Sequence, residues 1–293
     1  MPNLRDIKRR ISSVQSTRQI TRTMEMVATA KIKKAQERIE SARPYALSMM
    51  EVLGNVARYV QGATHPLLEE HAERRRIAII TLTSDRGLCG AFNANILRLT
   101  EGLVKQAAQD GAEAEIIAVG KKATSYLKYR GVTPVAEYRD ISDKPTFAHA
   151  RAIAAHVIPA YAEGRLDAAY VVFNRFKNVA EQKAEVHQLL PIERRVVQEE
   201  ETPGPKPEYL FEPSPAAVLE KLLPMYVETL IYRALLESAA SEQGARRVAM
   251  KSATDNAGEI ITTLTRSYNR ARQASITNEI AEIVGGAAAL EES

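Results

Sequence analysis

Tryptophan is absent from this 293-residue chain, phenylalanine occurs five times and cysteine once, so neither a large aromatic core nor an internal disulfide is open to it. A lone Cys89 also excludes a cysteine-based zinc cage and is expected of a reducing compartment. Long apolar runs are missing too. No stretch approaches the 18 or so residues of a membrane-spanning helix, and the opening MPNLRDIKRR lacks the apolar core of a signal peptide, so neither bilayer insertion nor a leader is expected. The five histidines (His65, His71, His149, His156, His187) show no metal-ligand spacing. His149 and His156 stand seven apart, too far for a shared pair at i and i+4, and Cys89 has no evident base. No catalytic constellation, metal site or cofactor is expected.

What the chain does have is aliphatic and alanine-rich sequence in helical period, with 45 % hydrophobic residues and only 14 glycines. From Leu219, alternating steps of three and four run through Leu222, Tyr226, Thr229, Arg233, Leu236, Ala240, Gln243, Arg247, Met250, Thr254, Ala257, Ile261, Leu264, Tyr268, Ala271, Ser275 and Asn278. That is coiled-coil spacing. A helix over residues 216–290 would be about 110 Å long, more than a compact core needs, so the length itself points to a shaft. Residues 3–61 form a second arm, with Asn3 as its cap and a seam of Leu4, Ile7, Ile11 and Val14. The seam is expected to resume at Ile20, Met24 and Val27 after a phase slip, and to continue through Ile39, Ala42, Ala46, Met49, Leu53, Val56 and Val60. Pro44 and Pro224 are expected to kink the arms rather than end them.

Between the arms, short β-rich runs (77–81, 116–119, 132–138, 168–173 and 185–190) alternate with helical ones (91–109, 121–129, 146–162). This predicts a mainly parallel, Rossmann-like sheet covered on both faces. The expected fold is therefore α/β with dominant helix: a long antiparallel coiled coil of N- and C-terminal helices plus a central α/β domain. The expected divisions are 1–62, 74–198, a Pro- and acid-rich linker at 199–215, and 216–293. The second arm is longer by about fifteen residues, so its tip should extend about 20 Å past its partner.

Charge is uneven. Net charge is +4, yet residues 1–43 carry eleven Lys and Arg against four acids, a balance open to a solvated face, an acidic protein or nucleic acid. The turn Ser84-Asp85-Arg86-Gly87-Leu88-Cys89-Gly90 could bring backbone amides to an anion, but it fits neither GxGxxG nor GxxxxGK[ST], and a tight structural turn is the better reading. Arg266 and Arg270, four apart on one helix face, repel each other by about 0.2 to 0.5 kcal/mol, which points to an anionic partner.

The segments LRDIKRRISSVQSTRQITRTMEMVATAKIKKAQ, SDRGLCGAFN and AMKSATDNAGEIITTLTRSYNRARQASITNEIAEIVGGAAAL resemble the gamma-subunit family of F-type, proton-translocating ATP synthases. The resemblance implies a non-catalytic rotor shaft on the axis of an alpha3-beta3 hexamer, with the α/β domain against the epsilon subunit and the c-ring. It implies no cofactor, and membrane association only through the complex, at the cytoplasmic face of the bacterial plasma membrane. It also assigns Arg272, Gln273, Thr277, Glu279 and Glu282 to contact with beta subunits, Met24 to the facing helix of the coupling region, and Tyr209 to the c-ring and epsilon side. Thiol switching of the chloroplast type is not expected, since the inserted cysteine pair is missing. The competing readings are a basic nucleic-acid-binding coiled coil, marked by salt-sensitive affinity, and an α/β enzyme using the SDRGLCG loop.

Overall fold

A computed structural model describes residues 4–59, 65–71, 73–193 and 212–291. Among these residues five helices and five strands follow in the order α1 (Leu4–Tyr59), β1 (Arg76–Leu82), α2 (Phe92–Gln109), β2 (Glu113–Val119), α3 (Lys121–Tyr129), β3 (Ala136–Tyr138), α4 (Phe147–Ala162), β4 (Ala168–Phe176), β5 (Gln182–Leu190) and α5 (Pro215–Glu291), with a 3-10 turn at Pro66–Leu68. Pro44 and Pro224 lie inside α1 and α5, neither of which stops there. Asn3, Val60, Tyr209 and most of the linker fall outside the described residues. The chain separates into two compact units, Met1–Val27 with Arg247–Ser293, and Ala28–Arg246.

In the larger unit the sheet order is β3-β2-β1-β4-β5. The first three pairings are parallel and β4 with β5 is antiparallel. The central strand, RIAIITL, is buried from its second residue onward, as a strand covered on both faces must be. Ile77 and Ile79 join α2 on one face, with Ala168 and Val172. Ala78, Ile80 and Leu82 point to the other, with Val171 and Phe173. Beside the first of these faces, Ile116 and Ala118 pack with Ala123 and Leu127 of α3. The edge strand β5 carries Lys183 and Glu185 among half-exposed positions, which discourages pairing with another chain.

The second face holds the main departure from the expected plan. Alongside α4 it is closed by the long helices themselves, through Met49, Leu53 and Val56 of α1 and Leu219, Leu223, Tyr226, Val227, Ile231, Ala234 and Leu235 of α5. Leu53, Leu223 and Ile231 are fully buried, each contributing about 1.5–3 kcal/mol by leaving water. These inner stretches are core helices of the α/β unit, not free arms. Two strand limits also move. β3 is three residues long, and Val132 and Val135 before it are exposed, while β5 begins earlier, at Gln182.

In the smaller unit, α1 and α5 run antiparallel. Thr21 Oγ1 and Thr254 Oγ1 lie 2.7 Å apart in a buried contact, and three residues back along α1 the Arg18 guanidinium reaches Gly258, four residues on along α5. Burial along α5 follows the expected seam, with Met250, Thr254 and Ala257 buried, Ile261, Leu264, Tyr268 and Ala271 half-buried between exposed neighbours, and Ser275 half-buried beside Ala274. On α1 the expected phase slip does not occur. Ile20 and Val27 are exposed, and the register set by Ile7, Ile11 and Val14 passes through Thr21 to Met24. A threonine holds the seam because its hydroxyl finds Thr254 across the interface.

Candidate functional site: a self-filled crevice and an exposed helix end

The loop after β1 is tied down at its start, where Ser84 N donates to Asn93 Oδ1 (2.9 Å) and Asp85 N to Ser142 Oγ (3.1 Å). Thr83 Oγ1 donates to Val119 O (2.9 Å) and accepts from Ala123 N (2.8 Å), tying the end of β1 to the start of α3. Asp85 accepts from the amides of Lys121 (3.0 Å), Asp140 (2.9 Å) and Ser142 (3.1 Å). Burial pushes the Asp85 carboxyl up, but those amide donors outweigh it and hold the group below its usual range. The first turn of α3, where a phosphate could have settled, therefore already faces a carboxylate of the chain itself. Cys89 is buried, and Asn93 Nδ2 donates to its sulfur (3.2 Å) and to Ser84 Oγ (2.8 Å). Burial raises the Cys89 thiol above its ordinary value, so it stays protonated and unreactive.

In open α/β sheets ligands enter the crevice beyond the carboxyl ends of the strands, where the strand order reverses. Here that point lies between β1 and β4, and α5 fills it. Every residue of 234–244 is buried, an all-round burial that a coiled-coil seam does not produce. Ser241 Oγ donates to Asn174 O of β4 (2.9 Å). Arg246 donates to Gly87 O (3.2 Å) and Arg86 O (3.4 Å) in the loop after β1, and to Glu242 (2.7 Å). Gln243 reaches Asp143 (3.3 Å), which also pairs with Lys31 (2.7 Å). A Cβ on Gly244 would come 2.9 Å from Gln182 Nε2, so a larger residue here would make the Gln182 side chain move from its place in the β4–β5 hairpin. The SDRGLCG motif is a clasp on α5, and the place where an α/β enzyme would keep its ligand is taken.

The histidines have structural partners. His65 Nδ1 caps the 3-10 turn through Leu67 N, His71 pairs with Asp167 (2.8 Å) and stacks on Tyr161, and His149 completes the capping box of α4 with Thr146. His156 and His187 lie edge-on to Tyr138 and Phe173. Among the described residues no group of three His, Cys, Asp or Glu is arranged to hold a metal ion, and no helix is long and apolar enough to cross a membrane.

Met24 and the five residues from Arg272 to Glu282 singled out from the sequence lie in the smaller unit. Met24 is half-buried on α1, in a shallow groove with Ser16, Gln19, Ile20 and Thr23. Arg272, Gln273, Thr277, Glu279 and Glu282 are all exposed along α5. Their polar contacts are local: Thr277 Oγ1 donates to Gln273 O (2.9 Å), and Ser275 Oγ to Glu279 (3.1 Å). Beside them Ile276, Ile280, Ile283 and Val284 are 47–71 % exposed at helical spacing, an apolar stripe flanked by charge. Tyr209 lies outside the described residues. Sequence reasoning did not single out Ser241, Glu242, Gly244 or Arg246. A mid-helix glycine in the small-residue run AASEQGARR, with Glu and Arg four apart, was the available signal of a helix enclosed on all sides.

Comparison with known proteins agrees with this picture. Residues 3–290 match the family described as ATP synthase. The chain is 51 % identical over 291 residues to the ATP synthase gamma chain of Desulforamulus reducens, covering 99 % of this chain and all of that one. It is 48 % identical over 294 residues to the gamma chain of Heliobacterium modesticaldum, with the same coverage. Among solved structures, a chain of the central stalk and c-ring of the Tetrahymena thermophila mitochondrial ATP synthase is 28 % identical with a TM-score of 0.59, over 80 % of this chain and 99 % of that one. A chain of the Euglena gracilis mitochondrial ATP synthase, at 23 % identity and TM-score 0.66 over 98 % and 94 %, shares the fold. A helix pair with a bare end, an α/β unit whose crevice is self-filled, and near-complete coverage of relatives so named together place the chain in the ATP synthase gamma-chain family.

Proposed function

We propose that the chain is the central rotor shaft of an ATP synthase, a non-catalytic subunit that couples proton-driven rotation of a c-ring to the catalytic cycle of the beta subunits in an alpha3-beta3 hexamer. The observation that carries this reading is the outer end of α5, where an exposed isoleucine stripe runs beside Arg272, Gln273, Thr277, Glu279 and Glu282 on a helix of a gamma-family chain. One asymmetric shaft inside three identical catalytic subunits touches each differently and so biases each toward a different nucleotide affinity. Rotation passes those biases around the ring. The five polar residues meet a loop of a beta subunit, and Met24 serves the same coupling region from α1. The epsilon subunit and c-ring bind at the α/β end, with Tyr209 on that side. Of the two terminal helical segments, 1–62 and 216–293, the outer parts act as shaft and the inner parts join 74–198 as the domain seated on the ring, with 199–215 as linker. The chain is a peripheral part of a membrane complex, at the cytoplasmic face of a bacterial plasma membrane. The basic residues of α1 serve protein contacts, and the nucleic-acid reading has no relative to support it.

Removing residues 266–293 tests the reading. Within this segment residues 266–287 are mostly exposed, so their loss takes little buried surface from the rest of the chain. Membrane vesicles assembled with the truncated chain are expected to lose ATP-driven proton pumping while hydrogen exchange of β1 and β2 stays as in the full chain. Undiminished pumping would sink the proposal.

A further inference from the structure

The self-filled crevice has a geometry that binding alone does not require. Consecutive helical residues point about 100° apart around the axis. Ser241, Glu242, Gln243 and Gly244 therefore face four different directions, and the directions meet different walls. Ser241 bonds β4 through Asn174 O, and Gln243 bonds Asp143 in the segment between β3 and α4. Gly244 sits against Gln182, itself held by Asn178 O and Val179 O of the hairpin. Glu242 receives Arg246 from one turn further along α5 itself, and it is the Arg246 guanidinium that reaches a wall, the loop after β1, through Gly87 O and Arg86 O. Apolar packing of small residues such as Ala239 and Ala240 brings the helix close but resists axial turning weakly, since apolar contact has no direction. Hydrogen bonds on several sides do resist it.

The charged pair is the informative member. The side chains of Arg246 and Glu242 are only 10 % and 4 % exposed. A buried ion pair costs desolvation that its attraction barely offsets, and apolar residues of similar volume are often as stable or more so. A pair placed there for stability alone would be a poor choice; being one turn apart on α5, its two members turn together, and what resists turning is the grip of the Arg246 guanidinium on Arg86 O and Gly87 O, with Glu242 holding that guanidinium in place.

We propose that Arg246 and Glu242 are positioning residues that key α5 against turning about its own axis inside the α/β unit. The proposal rests on the rotor-shaft reading. In an energy-coupling rotor the α/β unit and α5 must turn as one body, and slip between them would dissipate torque without touching any catalytic group.

The test uses the assembled complex. In E242M/R246M the pair is replaced by unbranched apolar side chains, keeping the packing and losing the direction. A bead is attached through Tyr129→Cys, an 84 % exposed position in the α/β unit, and its angular fluctuation is recorded with the alpha3-beta3 hexamer fixed and hydrolysis paused. If the pair supplies about half of the restoring stiffness around the helix, the angular width rises about 1.4-fold, because width scales as the inverse square root of stiffness. Unloaded ATP hydrolysis stays at the parental rate, while protons pumped per ATP against an established gradient fall. A merely structural role would lower assembly and hydrolysis together and leave the width of assembled complexes unchanged, which overturns the proposal, as does parental width with parental pumping. Should the double variant fail to assemble, R246K is read in its place. It keeps the charge without the guanidinium fork, and a broadened width upholds the key whereas parental width overturns it. The rotor reading stands or falls separately, on whether the bead on the parental complex rotates during hydrolysis.

Discussion

Gly120→Ala is expected to destabilise the α/β unit far more than Gly111→Ala, although both glycines sit at positive φ. Gly111 (φ +76°) has open space where a Cβ would go, so alanine there meets only the backbone penalty of the left-handed region, about 1–2 kcal/mol. Gly120 (φ +91°, ψ 146°) lies in a region that glycine alone adopts readily, a strain of about 1–3 kcal/mol for alanine. Its new Cβ would stand 2.3 Å from Thr83 O and 2.8 Å from Thr83 Oγ1. Thr83 cannot retreat freely, because its amide and hydroxyl both donate to Val119 O and its Oγ1 accepts from Ala123 N. Forced displacement adds an overpacking cost of about 1–3 kcal/mol, and a lost hydrogen bond about 0.5–1.5 kcal/mol. The total is about 3–7 kcal/mol, a large share of the 5–15 kcal/mol of a typical domain. Native-state hydrogen exchange read on the β1 and β2 amides isolates this unit from the paired helices. A Gly120→Ala loss no larger than that of Gly111→Ala would refute the argument that contact with Thr83, rather than backbone sign, dictates glycine at this position.

Other expectations concern charge and pairing. Asp85, with its folded pKa below the ordinary carboxylate value, contributes stability that is present above that value and lost as pH falls through the folded one; D85N should flatten this acid limb in exchange measured across pH, and an unchanged limb would exclude Asp85 as its source. Glu242 has the opposite sign. Burial pushes its carboxyl up against the lowering pull of Arg246, so the folded state keeps its proton longer and stability falls as pH rises from the ordinary glutamate range through the raised value; E242Q should remove that slope, which persists if another group causes it. In the helix pair, T21V or T254V alone removes the bond across the interface while the remaining hydroxyl keeps its bond to Met250 O or Arg18 O, so each should cost about 0.5–1.5 kcal/mol and the double variant less than the sum; additive losses in urea titration would argue against a direct Thr21–Thr254 bond.

Periodicity carried most of the fold. The β1 run, the α3 span and the three-four seam from Met250 to Ser275 are where local pattern and tertiary packing ask for the same residues. It misled at Ile20 and Val27, whose apolarity implied burial, because a sequence shows that a residue is apolar but not which face a partner covers; Thr21, polar by type, is buried through a bond to a residue 233 positions away. The inner half of α5 was misread for a related reason. A helix enclosed on all sides has no single stripe, so the three-four rule picks exposed Arg233 and passes over fully buried Leu223 and Ile231. The assignment of the exposed residues from Arg272 to Glu282 to beta-subunit contact rests on family resemblance alone. Nothing in their local contacts within one chain distinguishes them from solvated polar positions.

That α5 completes the core from the carboxyl end has a consequence for biosynthesis. Ile80, Leu82, Val171 and Phe173 are translated well before Leu219 to Arg246, the segment that roofs them and plugs the crevice. At 5–20 residues per second the ribosome needs about 3–11 s to add the 56 residues between the end of β5 at Leu190 and Arg246. During that interval this side of the nascent sheet has only α4 and the inner end of α1 over it, and the aliphatic surface that α5 will cover is open to holdase chaperones at a defined stage of synthesis.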